Sequence, residues 1–228
     1  MGNLTSNYNE YYKKRTGIHL YPVEFVLRTF VGTYPELKWD KTKYAGSKIL
    51  DLGYGDGRNM PLFKNLLMEI HGVEISEEIN RQAKERLSLL EIDAILKVGK
   101  THNIPYENSY FDYLVACHSC YYIEGNNKFD THVTEMARVL KPGGHLCLSI
   151  PMLDNFIFKD AIKLENGYML IKNDHYGIRN ETIHKAFENE KEIIDYFSPY
   201  FKEITIGFCN DNYYGINVKM WFIAAVKI

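Results

Sequence analysis

Residues 49–59 read Ile-Leu-Asp-Leu-Gly-Tyr-Gly-Asp-Gly-Arg-Asn. An apolar strand pattern runs into Asp51, and glycines then alternate at Gly53, Gly55 and Gly57. Glycine has no Cβ, so it takes left-handed turns and lets a ligand approach the backbone. Met60, Leu62, Phe63, Leu66 and Leu67 follow with the spacing of an apolar helical face. A strand, a glycine turn and a helix N-terminus together make the ligand-holding corner of a doubly wound α/β sheet. A nicotinamide fingerprint needs G-x-G-x-x-G, and its third glycine would fall at Arg58. The spacing therefore points to another ligand.

Strand and helix patterns alternate outward from this corner, as in βαβ units around a parallel sheet. Strands are expected at 48–52, 70–75, 94–98, 111–117 and 144–150, with helices near 58–68, 76–90 and 127–140. Phe129, Val133, Met136, Ala137 and Leu140 mark one face of the last helix. Ser76 is placed as an N-cap, with Glu77 and Glu78 in the first turn, where the helix dipole favours acids. After Pro151 the rhythm breaks, and residues 152–186 read as a short hairpin or irregular insertion. A helix near 189–198 and strands near 202–208 and 218–227 restore it and would close the sheet as an antiparallel hairpin. The expected fold is α/β: a doubly wound, Rossmann-like seven-stranded sheet, mostly parallel with the last strand antiparallel and helices on both faces. The expected organisation is one domain over 1–228, with an N-terminal segment over 1–45 and an insertion over 152–186.

Composition narrows the function. The 228 residues are 46% hydrophobic, enough for one full core, and the net charge is −2. Lysine and arginine are dispersed, whereas a nucleic-acid binder concentrates them. The N-terminus has no apolar core for a signal peptide, and no run approaches the roughly 20 apolar residues of a membrane span. A cytoplasmic protein without nucleic-acid or membrane partners, monomeric or homodimeric, is expected. Gly2 and Ser6 match the spacing of a myristoylation signal, a short pattern read as coincidence. Cys117 and Cys120 form a C-x-x-C with no second pair to complete a tetrahedral site, so the four cysteines read as buried thiols and no metal is expected.

The motif at 51–57 resembles motif I of the class I S-adenosylmethionine (SAM)-dependent methyltransferases. Three further stretches match in order: His-Gly-Val-Glu-Ile-Ser at 71–76, Gly-Lys-Thr-His-Asn-Ile-Pro-Tyr at 99–106, and Val-Leu-Lys-Pro-Gly-Gly at 139–144. Together they are most similar to the small type 11 methyltransferases. The resemblance implies SAM as cofactor and S-adenosylhomocysteine (SAH) as product. It implies that Glu74, with Ile75 after it, meets the ribose hydroxyls, and that Lys100, Thr101 and His102 border the adenine. Asp51, Gly53 and Gly55 would form the turn around the methionine moiety. Arg28 or Arg58 would meet its carboxylate. Tyr8, Tyr11, Tyr12 and Tyr21 suit either a helical lid over the cofactor or a helix packed on the domain. One position departs from the family: Lys100 stands where an acid commonly accepts from the adenine amine, and lysine only donates. Adenine would then be held by backbone near Lys100 and Thr101 and by packing, or His102 lies nearer the ring.

The acceptor should lie over the carboxyl ends of the strands. His118, just past the fourth strand, is the first candidate for catalytic base and also borders the cofactor, and His175 is the second. A histidine titrating near neutrality suits removal of a hydroxyl proton. Tyr121, Tyr122, His175, Tyr176, Arg179, Asn210, Tyr213 and Tyr214 are candidate acceptor-binding residues. Their polarity points to O-methylation of a small polar metabolite, such as a phosphorylated or nucleotide-linked sugar in bacterial surface-polysaccharide biosynthesis. Nitrogen or carbon methylation, a macromolecular acceptor and a non-catalytic SAM-binding module are the alternatives.

Overall fold

Ile49, Leu50 and Leu52 come without polar alternation and are fully buried, which places β1 (Lys48–Leu52) at the centre of a sheet covered on both faces. The structure, a computed structural model, describes residues 4–14 and 20–228, so Gly2 lies outside the described residues. On one side β1 pairs in parallel with β2 (Glu69–Glu74), which pairs with β3 (Ala94–Val98). On the other it pairs with β4 (Phe111–Ala116), and β6 (Leu140–Pro151) follows. β11 (Ile216–Lys227) runs antiparallel to both β6 and β10 (Phe201–Tyr213). The order is β10-β11-β6-β4-β1-β2-β3, the expected seven-stranded sheet.

Helices α3 (Met60–Asn65), α4 (Glu77–Leu89), α5 (Phe129–Val139) and α6 (Glu190–Phe197) follow their strands. Two buried clusters lie against the sheet, one built around Phe129, Met136 and Phe197 and the other around Phe30, Phe63 and Leu87. The N-terminal segment adds α1 (Leu4–Lys13) and α2 (Glu24–Val31). Helix α3 is shorter than expected. Leu67 takes φ 58° and Met68 N–H returns to Phe63 O at 3.1 Å, a left-handed helix ending that leaves Leu67 exposed.

The segment after Pro151 is more regular than its sequence indicates. β7 (Ile162–Lys163), β8 (Tyr168–Leu170) and β9 (Ile183–Lys185) join β5 (Tyr122–Ile123), just after β4, in a small antiparallel sheet ordered β5-β9-β8-β7. Residues near Arg179 are thereby tied to the carboxyl edge of the large sheet.

Ser76 caps α4 as expected: its Oγ accepts Ile79 N–H at 3.2 Å, and its hydroxyl donates to Asn9 Oδ1 of α1 at 2.6 Å. Ser76→Ala should lower stability by about 1 kcal/mol through loss of the cap. Urea denaturation checks this, and an unchanged midpoint would show that the cap contributes nothing.

Candidate active site

The glycine turn is left-handed at all three positions, with φ of 72°, 58° and 76° at Gly53, Gly55 and Gly57. A Cβ on Gly53 would collide with Ser119, and one on Gly55 with the Tyr12 hydroxyl. The turn is thus clasped between the segment after β4 and α1. At the end of β2, Glu74 Oε1 accepts Gly55 N–H at 3.0 Å and Oε2 accepts Ile75 N–H at 2.6 Å. Burial pushes the Glu74 carboxyl up, and these two N–H groups offset part of that rise. Asp51 is fully buried and neither of its oxygens is hydrogen-bonded. Its burial pushes the carboxyl up to about 7, against the pull of the nearby Asn59 amide and with Glu74 and Asp56 adding to the rise.

A cavity of about 220 Å³ opens beside the glycine turn and Glu74. Gly53, Tyr54, Asp56, Arg58 and Asn59 line one wall, and Glu74 and Ile75 the next. Lys100, Thr101, His102, Glu124 and His132 line one end, and Cys117, His118, Ser119, Tyr122 and Arg179 the other side. Leu4, Tyr8, Tyr11 and Tyr12 form the roof, spaced so that one face of α1 points inward. Three contacts hold α1 there. The Tyr8 and Tyr122 hydroxyls are hydrogen-bonded, Asn7 Nδ2 donates to Ile178 O at 3.0 Å, and Asn9 bonds Ser76. Burial pushes the Tyr8 and Tyr12 phenols well up, so both keep their protons as hydrogen-bond donors. Tyr21 lies off this cavity, 72% exposed.

His118 has φ 55°, a strained conformation for a non-glycine residue that costs about 1–3 kcal/mol. Its N–H donates to Ser149 Oγ at 2.9 Å, and its Nδ1 lies 3.0 Å from the same oxygen. These contacts orient the ring and leave Nε2 without a hydrogen-bond partner among the described residues. Burial, with the positive charges of Arg179 and Arg58, pushes the imidazole down to about 4. His118 is therefore neutral at pH 7 and a weak base, not the near-neutral titrating group expected from position alone.

Arg179 Nη1 donates to Asp174 Oδ1 at 2.8 Å and its Nε to the Tyr122 hydroxyl at 3.2 Å. Asp174 is itself fixed by Ile178 and Arg179 N–H groups at 2.8 and 3.2 Å. The guanidinium is thus rigid, with Nη2 unpaired among the described residues. Lys100 Nζ is ion-paired with Glu124, so the lysine turns to an acid of this chain.

Several expected site residues lie elsewhere. Arg28 is exposed on α2 and paired to Glu24 at 2.7 Å, because Phe25, Val26 and Phe30 take the buried side of that helix. Arg58 is the cation that lines the cavity beside the glycine turn; its Nε donates to Tyr21 O at 3.0 Å. His175 and Tyr176 pack on each other in the exposed β8–β9 loop, off the cavity. Asn210, Tyr213 and Tyr214 are exposed on the β10–β11 hairpin. Met220 pairs with Pro151 at the end of β6 and Lys219 O still accepts Met152 N–H at 3.1 Å, but beyond Lys219 the two strands pair only with each other and extend past the rest of the sheet. Tyr121 is buried in the core beside the cavity wall. Glu124 and His132 were not anticipated. His132 sits among the apolar residues of α5, where helical spacing marks a core position, and nothing in the pattern signals Glu124.

The residues present fit SAM. The cradle admits no Cβ at Gly53 or Gly55, an unpaired buried carboxylate lies beneath it, and Glu74 faces the same cavity. Residues 50–148 match the methyltransferase domain family. The PH0226 protein of Pyrococcus horikoshii is similar over 96% of this chain and 99% of its own, at 20% identity and a TM-score of 0.69. A SAM-dependent methyltransferase of Methanosarcina mazei is similar over 86% of this chain and 98% of its own, at 21% identity and a TM-score of 0.68. The 1,6-didemethyltoxoflavin-N1-methyltransferase of Burkholderia thailandensis, solved with 1,6-didemethyltoxoflavin and SAH bound, is similar over 80% of this chain and 72% of its own, at 14% identity and a TM-score of 0.58. A search of curated protein sequences returns no match. Residues 50–148 thus carry a methyltransferase domain, and this sheet order and glycine corner are those of the class I SAM-dependent methyltransferase fold.

If Glu74 accepts from the ribose hydroxyls, its loss leaves them unpaired at about 1–3 kcal/mol. Calorimetry should show SAH binding to Glu74→Ala at least about tenfold weaker, with the fold retained by circular dichroism. Unchanged affinity would reduce Glu74 to a clamp on the glycine turn.

Proposed function

We propose that the protein O-methylates a small polar acceptor that carries an anionic group. The observation that supports this most directly is the pair of unpaired nitrogens on one cavity wall, His118 Nε2 and Arg179 Nη2. When bound, SAM supplies a methyl group already activated on a sulfonium, so the protein's part is alignment and exclusion of water. The α1 tyrosines close the cavity from above, which supports reading the N-terminal segment as a lid and the 152–186 insertion as the acceptor-side wall. Arg179 holds the anionic group as a fixed fork, since Asp174 and Tyr122 restrain it. His118 meets the acceptor hydroxyl and takes its proton at Nε2. Phosphorylated or nucleotide-linked sugars, such as those of bacterial surface polysaccharides, combine hydroxyls with the anion that Arg179 suits. Among the described residues no helix is long and apolar enough to cross a membrane, which is compatible with a cytoplasmic enzyme.

A second reading is N-methylation. A neutral amine needs no base to expose its lone pair, and the low basicity of His118 favours such an acceptor. The Burkholderia enzyme's name describes an N-methyltransferase.

Methyl transfer to phosphorylated and nucleotide-linked sugars, read by mass spectrometry, tests the proposal. With the acceptor found, His118→Ala should lower turnover about 10²-fold while SAH affinity stays nearly constant. The His118-dependent rate should stay level from neutrality to about pH 5 and fall as the imidazole protonates near 4. Near-normal turnover of the variant would instead support the amine reading.

A further inference from the structure

His132 presents an unanswered acceptor at one end of the cavity. It lies on α5 with 1% of its surface exposed and is one of the residues lining the cavity. Its Nδ1 is 2.7 Å from Cys120 O, and a carbonyl only accepts, so Nδ1 carries the proton. Nε2 is therefore a bare acceptor, and it is buried without a partner. Burial keeps the ring neutral. The His102 ring lies at 29° to it, with centroids 5.7 Å apart. A buried acceptor with no protein partner carries a desolvation cost that an arriving donor relieves.

The cavity indicates which donor arrives. Along the carboxyl edge, the glycine turn follows β1, Glu74 ends β2, and Lys100–His102 follow β3. With Glu74 at the ribose and His118 beside the reacting end, the base lies beyond Glu74, toward Lys100, His102 and His132. Helix α5 backs that end: Glu135 Oε2 accepts Ile104 N–H at 2.9 Å, and Arg138 Nη2 donates to Ile104 O at 2.9 Å. Adenine brings one exocyclic donor, its amino group. Lys100 cannot accept from it, and Glu124, an acid at that end, pairs its Oε2 with Lys100 and is 31% exposed, so it already has water and a cation to answer it, unlike His132 Nε2.

We infer that His132 Nε2 is the acceptor that reads the adenine amino group of the cofactor. The inference rests on SAM occupying this cavity, and its test separates the two claims. The probes are SAH and its 6-deamino purine analogue, in which hydrogen replaces the amine and N1 stays an acceptor. By calorimetry the wild-type protein should bind SAH at least tenfold more tightly than the analogue. His132→Leu should lose that preference by weakening SAH alone. His132→Gln, which keeps an oxygen acceptor near the same place, should retain it. In the wild-type protein the unprotonated Nε2 resonance of His132 should shift on addition of SAH in ¹⁵N spectra and not with the analogue, a readout that needs no variant to fold. A preference retained by His132→Leu, or an Nε2 that carries a proton in the free protein, overturns the inference. A wild-type protein that binds neither ligand overturns the cofactor placement and the inference with it.

Discussion

A buried carboxylate with no partner is among the costlier groups a fold can hold. Asp51 is such a group, at the end of the central strand and beneath the glycine turn. Glu74, the next strand's terminal acid, is also buried, though two backbone N–H groups hold it. The sheet places both at its carboxyl edge because β1 and β2 run parallel in register, Asp51 opposite Gly72 and Leu52 opposite Val73. A ligand that brings positive charge and hydroxyl donors to this edge would answer both acids. SAM carries an ammonium, a sulfonium and a ribose diol.

The cavity is divided by charge. Asp56 and Glu74 line it beside the glycine turn, with Asp51 buried behind, and each raises the pKa of a neighbouring group. Arg179 lies on the opposite side, where burial, Arg179 and the more distant Arg58 keep His118 neutral. A cationic cofactor belongs on the first side and an anionic acceptor on the second. Helix α1 spans both, since Tyr12 lies over Gly55 while Tyr8 reaches Tyr122 and hence Arg179. A roof fixed to both sides couples the closing of one to the closing of the other.

The parts legible in the sequence were those set by local rules. Unbroken apolar strands, alternating glycines, an acid ending the second strand and a serine cap each depend on neighbours a few residues away. The misplaced residues depended on distant ones. Arg28 faces solvent because of what covers the other side of α2. The 210–214 hairpin extends past the rest of the sheet because β6 stops at Pro151, a length match that β10 and β11 do not contain in themselves. The strands at 162–163, 168–170 and 183–185 are too short to show a period. His132 reads as a core residue on an apolar helix face, which it is; its role comes from the Cys120 carbonyl that fixes its proton.

The account's central claim is that the cofactor completes the charge of this acidic corner. In the free protein the Asp51 carboxyl is pushed up to about 7, so near neutral pH a substantial fraction holds a proton. A cation arriving at the corner lowers that value, and the proton leaves. Calorimetry of SAH binding at pH 7, repeated in buffers of different ionisation enthalpy, measures the protons exchanged. The account predicts net proton release that disappears in Asp51→Asn; SAH binding without proton release, or release unchanged in that variant, would contradict it.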